Sequence, residues 1–226
     1  MISKKTKAAK GPSWLEVGLG AVLSVALGVV VGAAYLVAKP VVVVKEIPKD
    51  APSGTVYYIE GTRDFNKSVV IDEKRKSLSA GESVSVEEGE LNALIGSMAK
   101  PSGGAKPGDK AAPPSDLKVI DIGTLNVRIR GGKIQLATPV TVNLFGASFS
   151  VIAQANGTFS RHGAAFAFDP ETTYVGGCPV QHLPFATDYV LRKLLFVQPV
   201  PEDILAAWPK LADVSIAGST MQLKMP

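Results

Sequence analysis

The sequence has few of the residues that carry catalysis or bind metals. Its 226 residues include one cysteine, Cys178, and two histidines. A single cysteine excludes an intrachain disulfide, so we expect Cys178 to be a small buried hydrophobe, with pairing to another chain as the alternative. No Cys/His or carboxylate cluster has metal-ligand spacing, and no glycine-rich turn has phosphate-loop spacing. The sequence therefore predicts a protein that is not an enzyme, with no catalytic residue, no metal and no cofactor.

Charge is absent from one long stretch near the N-terminus. Val17–Ala38 contains 22 consecutive uncharged residues. Because a helix rises about 1.5 Å per residue, roughly 20 apolar residues are enough to cross the hydrocarbon core of a bilayer. We expect a transmembrane helix over residues 14–39. The alternatives are a cleaved signal peptide, whose apolar region is usually shorter, and a buried helix of a soluble protein.

The flanking charges predict the orientation of this helix. Residues 1–13 form a basic tail in which four lysines precede the first acidic residue, Glu16. This bias places the N-terminus in the cytoplasm and residues 40–226 in the periplasm or outside the cell. Residues 40–226 hold 19 Lys+Arg and 19 Asp+Glu, because five of the 24 basic and one of the 20 acidic residues come earlier. A neutral domain excludes nucleic acid as an expected partner, and the bilayer is the expected one.

Small residues recur along one face of the predicted transmembrane helix. Gly20, Ser24, Gly28 and Gly32 are spaced four apart. Small residues at this spacing let two helix backbones approach closely in lipid. The pattern indicates docking to a partner transmembrane helix or a homo-oligomer, although glycine is also generally frequent in membrane helices.

The exported region divides around a Pro/Gly-rich stretch at 99–115, which predicts a flexible loop because it holds no large apolar residue. Residues 40–98 are expected to supply short strands at Thr55–Glu60 and Ser68–Asp72. They also supply a helix over Val86–Met98, which begins at a capping box formed by Ser85 and Glu88.

Residues 116–226 alternate apolar and polar side chains and predict an antiparallel sheet with covering helices. Gly131-Gly132 predicts a hairpin, Asn156-Gly157 a further turn, and Pro139 an edge position or a bulge. Pro184–Val197 predicts a long helix that is apolar around most of its circumference and covers the sheet. A short helix near Pro201–Trp208 and a closing strand follow. The fold class is α+β: an N-terminal transmembrane helix, then an exported antiparallel β-meander packed on one long helix.

A family resemblance rests on two segments, Glu90–Ile95 (ELNALI) and Gly177–Leu195 (GCPVQHLPFATDYVLRKLL). With the N-terminal anchor and the meander, they resemble bacterial membrane-anchored envelope proteins of the YpmS type. They are more distantly similar to the tubular lipid-binding domains of the BPI and SMP group. That resemblance implies a curved sheet wrapped on a long helix, with an apolar groove for acyl chains and no catalytic residues.

Two functions from different classes fit this sequence. The first is a binding module for lipid or another hydrophobic ligand at the cell envelope, with a groove between sheet and helix. Ordinary core packing is the alternative role for every groove candidate. The candidates are Phe149, Val151, Phe185, Tyr189, Val190 and Leu194. The second function is a structural or assembly subunit of a membrane complex, which docks through its transmembrane helix and a sheet edge.

The small-residue face of the transmembrane helix generates a first prediction. Replacing Gly28 and Gly32 by Leu should abolish a detergent-resistant oligomer, because the larger side chains hold the two backbones apart. Gel electrophoresis and cross-linking of the full chain in mild detergent measure the oligomer. An unchanged oligomer would show that this face does not mediate assembly.

Overall fold

The computed structural model describes residues 13–46, 48–50, 52, 54–64, 68–98, 119–144, 147–183 and 185–226. Its contacts divide the chain into two units, Met1–Leu36 and Val37–Pro226. The predicted loop at 99–115 and all of the predicted basic tail except Ser13 lie outside the described residues.

The N-terminal apolar stretch forms one helix, α1, over Trp14–Ala38. It begins at a capping box, in which the Ser13 N–H donates to Glu16 Oε2 at 2.8 Å and the Glu16 N–H donates to Ser13 Oγ at 3.3 Å. No residue of α1 is buried, and its mean hydropathy reaches 2.4. By length and composition, α1 is therefore able to cross a membrane.

The strands in the described part of the chain form three sheets. β1 and β2 pair in parallel, β10–β11–β3 form an antiparallel sheet, and the third sheet has the order β4–β6–β7–β8–β9, with β5 also paired to β6. Their bounds are β1 Val42–Val43, β2 Tyr57–Tyr58, β3 Val84–Glu87, β4 Ile120–Ile122, β5 Asn126–Arg130, β6 Lys133–Leu144, β7 Ala147–His162, β8 Ala165–Val175, β9 Cys178–Pro179, β10 Asp213–Ala217 and β11 Thr220–Lys224.

The six-stranded sheet confirms the predicted antiparallel meander. Gly131 and Gly132 connect β5 to β6 with φ of 59° and 75°, the left-handed geometry of a two-residue hairpin turn. The predicted turn at Asn156-Gly157 is wrong, because β7 runs through it and the register against β8 shifts there instead. A Cβ on Gly157 would lie 2.1 Å from the Asp169 carbonyl oxygen, so glycine permits this close backbone approach.

Pro139 lies in the middle of β6, which is an interior strand, so the predicted edge position is wrong. The Pro139 carbonyl oxygen accepts a hydrogen bond from the Gly123 N–H at 2.8 Å. Since the amide and carbonyl of one strand residue point to the same side, the missing Pro139 N–H points at the break between β4 and β5. No hydrogen bond to β7 is therefore lost.

Two predictions between residues 68 and 98 need correction. Ser68–Asp72 is not a strand, since Ser68–Ser79 forms helix α2. Ile71 and Leu78 are buried at helical spacing while Val69 and Val70 are exposed, so the longer helical period overrides the local β-propensity.

The helix predicted at Val86 begins two residues later, because Ser85 lies in β3, where it pairs with Gln222 of β11, rather than capping a helix. Helix α3 is Glu88–Met98. Its start is capped by Glu90 Oε2, which accepts from the Glu87 N–H at 2.8 Å.

The covering helix is confirmed in part. α4 spans Ala186–Val190 and continues directly as a π-helix over Leu191–Leu195, which packs on β6 and β7. Pro184 lies outside the described residues. The short helix near the C-terminus is α5, Glu202–Ala207, and the predicted closing strand is the hairpin β10–β11.

The core lies between the sheets, the helices α2, α3 and α5, and residues 186–195, which we call the α4 segment. Cys178 is buried in it, as expected, and burial raises the pKa of its thiol. The α+β class is confirmed: an apolar N-terminal helix is followed by antiparallel sheets and several helices.

A buried ion pair generates a stability prediction. Lys74 Nζ contacts both oxygens of Glu90 at 2.8 Å, and Glu90 is only 3% exposed. Lys74→Met should lower the free energy of unfolding by about 3 kcal/mol, because it leaves a buried carboxylate without its cation. Lys76→Met on the same helix is the control and should change stability by less than about 0.5 kcal/mol. Urea unfolding of both variants measures the difference, and equal stabilities would contradict the assignment.

Candidate functional site

The six groove candidates fall into two groups. Val151 and Val190 are buried in the core, and Leu194 packs partly against it. Phe149, Phe185 and Tyr189 are 46%, 88% and 59% exposed. Half of the set therefore packs the core, and the other half presents apolar surface to the solvent.

Phe149 lies in an apolar row at one end of the six-stranded sheet, and the row is exposed at its two outer residues. Phe149 is directly opposite Val142, which is opposite Ile120. The next row on the same face, two residues along each strand, holds the buried Val140 and Val151. Because opposed residues share a face and alternate residues return to it, the core face of the sheet continues into this row, where Val142 is partly buried and Ile120 and Phe149 are exposed to solvent.

The α4 segment has the same division. Leu191 and Leu195 are buried on one side, whereas Tyr189 and Phe196 are exposed. Phe185 precedes α4 with φ of 63°, a left-handed conformation that is uncommon for a residue other than glycine. The segment thus has an apolar side packed on the sheet and aromatic side chains outside it.

The proposed docking residues Gly20, Ser24, Gly28 and Gly32 all lie on α1. A Cβ built on Gly20, Gly28 or Gly32 would meet nothing within 4 Å. The Ser24 hydroxyl donates to the Gly20 carbonyl at 2.8 Å. No described residue fills the space beside these three glycines.

A second surface, which the sequence did not predict, lies along β5. One edge of β5 pairs with β6, and side chains of α3 bind the other. Asn92 Oδ1 accepts from the Val127 N–H at 2.7 Å, and Asn92 Nδ2 donates to the Val127 carbonyl at 2.7 Å. One helical turn earlier, Glu88 Oε2 accepts from the Ile129 N–H at 2.8 Å. Two side chains at i and i+4 thereby satisfy backbone groups that another strand would otherwise pair.

Glu88 and Asn92, together with Asn126 of β5, also fix the segment around residues 61–62 beside β5. Asn126 Oδ1 accepts from the Gly61 N–H at 2.8 Å, and Glu88 Oε1 accepts from the Thr62 N–H at 2.6 Å. Asn92 Nδ2 also donates to the Thr62 carbonyl. A Cβ on Gly61 would lie 2.1 Å from the Val127 carbonyl oxygen, so only glycine fits here. The segment around residues 61–62 therefore lies along the edge of β5 that does not pair with β6.

Two adjoining cavities of about 330 and 540 Å³ lie between residues 57–62 and β5. Both are lined by Ile59, Arg128 and Arg130, and together we call them the arginine groove. Their other lining residues are Lys45, Tyr57, Glu60, Thr62, Glu88, Ile129, Gly131, Lys133, Gln135, Asn156, Glu171, Thr172, Gly218 and Ser219. None of the six groove candidates lines these cavities or the apolar one described next.

A third, apolar cavity of about 100 Å³ lies between α2, α3, α5 and the three-stranded sheet. Its lining includes Ile71, Leu78, Leu94, Trp208 and Leu223. This volume is below the roughly 300–1,000 Å³ of common ligand pockets. It therefore does not provide the acyl-chain groove that the family resemblance implies.

Two groups near the groove have shifted pKa values. Burial, and secondly the neighbouring charge of Arg130, lower the pKa of Arg128, although the Glu88 carboxylate acts in the opposite direction. Burial and the negative charge of Glu60 raise the pKa of Tyr58 to about 12, so its phenol is neutral at physiological pH. Burial is thus the main cause of the lowered pKa of Arg128, and the charge of Arg130 adds to it.

No protein-family model matches this chain, and comparisons with curated proteins and with solved structures find no significant match. The resemblance to YpmS-type envelope proteins therefore stays a prediction.

The role of Asn92 in holding β5 is testable. Asn92→Ala should lower the free energy of unfolding by about 3 kcal/mol, because the buried Val127 amide and carbonyl both lose their partner. Ser97→Ala on the same helix removes only a hydroxyl that bonds the preceding turn, and it should be nearly neutral. Urea unfolding of the two variants measures the difference. A small effect of Asn92→Ala would show that the β5 edge does not depend on it.

Proposed function

We propose that this protein is a membrane-anchored domain without a catalytic role, which binds lipid or another hydrophobic ligand at the cell envelope. In this proposal α1 spans the membrane, the N-terminus is cytoplasmic and residues 40–226 are periplasmic or extracellular. The observation that carries it is the row of Ile120, Val142 and Phe149, in which the exposed Ile120 and Phe149 extend a core-facing sheet surface into solvent on either side of the partly buried Val142. A contiguous apolar row at the end of a packed face favours an apolar partner.

Lipid is the apolar partner that the chain itself supports. α1 has the length and hydropathy to anchor the protein in a bilayer, which would bring acyl chains close to the rest of the chain. The exposed Phe185, Tyr189 and Phe196 add aromatic side chains of the kind that bind at membrane interfaces. The binding would take place on the surface, because the apolar cavity of about 100 Å³ is too small for an acyl chain.

An assembly subunit is the second candidate function. It is favoured by the open face at Gly20, Gly28 and Gly32, which leaves space for a partner helix backbone. In that case α1 would dock to another transmembrane helix or to a second copy of the chain.

Photo-crosslinking tests the lipid-binding proposal. The full chain is reconstituted in vesicles that contain a phospholipid with a photoactivatable group on its acyl chain, and the labelled peptides are identified by mass spectrometry. We expect label in β7 around Phe149 as well as in α1. Phe149→Ser should lower labelling around position 149 about tenfold relative to α1, because burial of a Phe side chain contributes about 1.5–3 kcal/mol.

Leu205→Ser is the matched control, since Leu205 is another exposed apolar residue, on α5, and is 57% exposed. Its substitution should leave the labelling of β7 unchanged. Label confined to α1 in the wild-type protein would contradict lipid binding by the sheet surface.

A further inference from the structure

The arginine groove carries two guanidinium groups side by side. β5 alternates, so Val127 and Ile129 are buried in the core while Arg128 and Arg130 lie on the opposite face. Residues two apart on a strand point the same way, which brings both arginines into the same cavities. Arg128 is half-buried and Arg130 is exposed at the strand end.

Cationic side chains outnumber the carboxylates in the lining of the groove. Among the described residues, neither Arg128 nor Arg130 forms an ion pair. Glu171 is engaged by Lys133, and both oxygens of Glu88 accept from backbone amides. The lining as a whole holds four cationic side chains, Lys45, Arg128, Arg130 and Lys133, and three carboxylates, Glu60, Glu88 and Glu171, which leaves one positive charge in excess.

The chemistry of this cluster selects its ligand. Each guanidinium presents five N–H donors in a planar fork that pairs with phosphate oxygens through two parallel hydrogen bonds. Two adjacent positive charges repel each other, and a bound dianion would offset both at once. The hydroxyls of Thr172 and Ser219, which also line the cavities, supply further donors. The two cavities, of about 330 and 540 Å³, both lie within the size range of ligand pockets, so either has room for a phosphate group.

We propose that the arginine groove is an anion-binding site in which Arg128 and Arg130 hold a phosphate group. The phosphate is either free in solution, as inorganic phosphate or a small phosphoester, or is the headgroup phosphate of an anionic lipid. This site is separate from the apolar row at Phe149, so failure of lipid crosslinking there leaves the anion site standing.

Calorimetry on the full chain tests the proposal with two probes. In the first arm, inorganic phosphate is titrated into the protein in an uncharged detergent. In the second arm, phosphatidylglycerol is added to the micelles, with phosphatidylcholine as the comparison lipid. The wild-type protein should bind at least one probe, and Arg128→Gln with Arg130→Gln should weaken that binding about tenfold or more, because charge-assisted hydrogen bonds are lost. Binding of inorganic phosphate identifies a soluble source, and binding of phosphatidylglycerol alone identifies a lipid source.

The matched control removes two positive charges elsewhere. Lys76 and Lys210 are exposed, and Lys76→Gln with Lys210→Gln makes the same change in net charge. This control variant should bind the probe as the wild type does. Because it keeps the N-terminal lysines, as the Gln variant does, those lysines contribute equally to both affinities that are compared. Arg128→Lys with Arg130→Lys keeps the charge but loses the fork, and its affinity should fall between those of the wild type and the Gln variant.

Two results would overturn the proposal. One is the absence of binding of either probe to the wild-type protein. The other is an affinity of the Gln variant equal to that of the wild type. If the circular dichroism spectrum of the Gln variant differs from that of the folded protein, the Lys variant replaces it, and an unchanged affinity of the Lys variant then overturns the proposal.

Discussion

The closure of the β5 edge by α3 is the constraint on which the organisation of this domain depends. A strand paired on one side only exposes amide and carbonyl groups that must find partners. Here Glu88 and Asn92, one helical turn apart, bind the Ile129 amide and the Val127 amide and carbonyl. The same two side chains also bond the backbone of Thr62, so one face of α3 is connected both to β5 and to the segment around residues 61–62.

This arrangement separates two chemically different surfaces. With its outer edge closed, β5 buries Val127 and Ile129 and turns Arg128 and Arg130 toward the groove beside residues 57–62. At the β4 end of the sheet no comparable cover is present among the described residues, and the core face emerges as the row that ends at Phe149. The polar groove and the apolar row therefore lie on opposite faces of the sheet, because Arg128 is opposite Gln135 whereas Val142 shares the face of Val140.

Periodicity explains which parts of the fold the sequence predicts. The apolar helix, the meander and the Gly131-Gly132 hairpin follow from long, regular patterns and strict turn chemistry. Ser68–Asp72 begins a helix although Val69, Val70 and Ile71 are β-branched, because Ile71 and Leu78 are buried at helical spacing. The sequence did not predict the arginine groove, because the groove forms only where residues 57–62 lie beside β5. Side chains of Asn92 and Asn126, which are distant from these residues in the sequence, make that contact. The formal neutrality of residues 40–226 also concealed its local charge.

Hydrogen exchange at the β5 edge tests the central claim most directly. Native-state exchange of the full chain, followed at single-residue resolution, reports how strongly each amide is bonded. The amides of Val127 and Ile129 should exchange as slowly as those between β6 and β7, and both should become fast in the Asn92→Ala, Glu88→Ala double variant. Rapid exchange of Val127 and Ile129 in the wild-type protein would contradict the closure of this edge by α3.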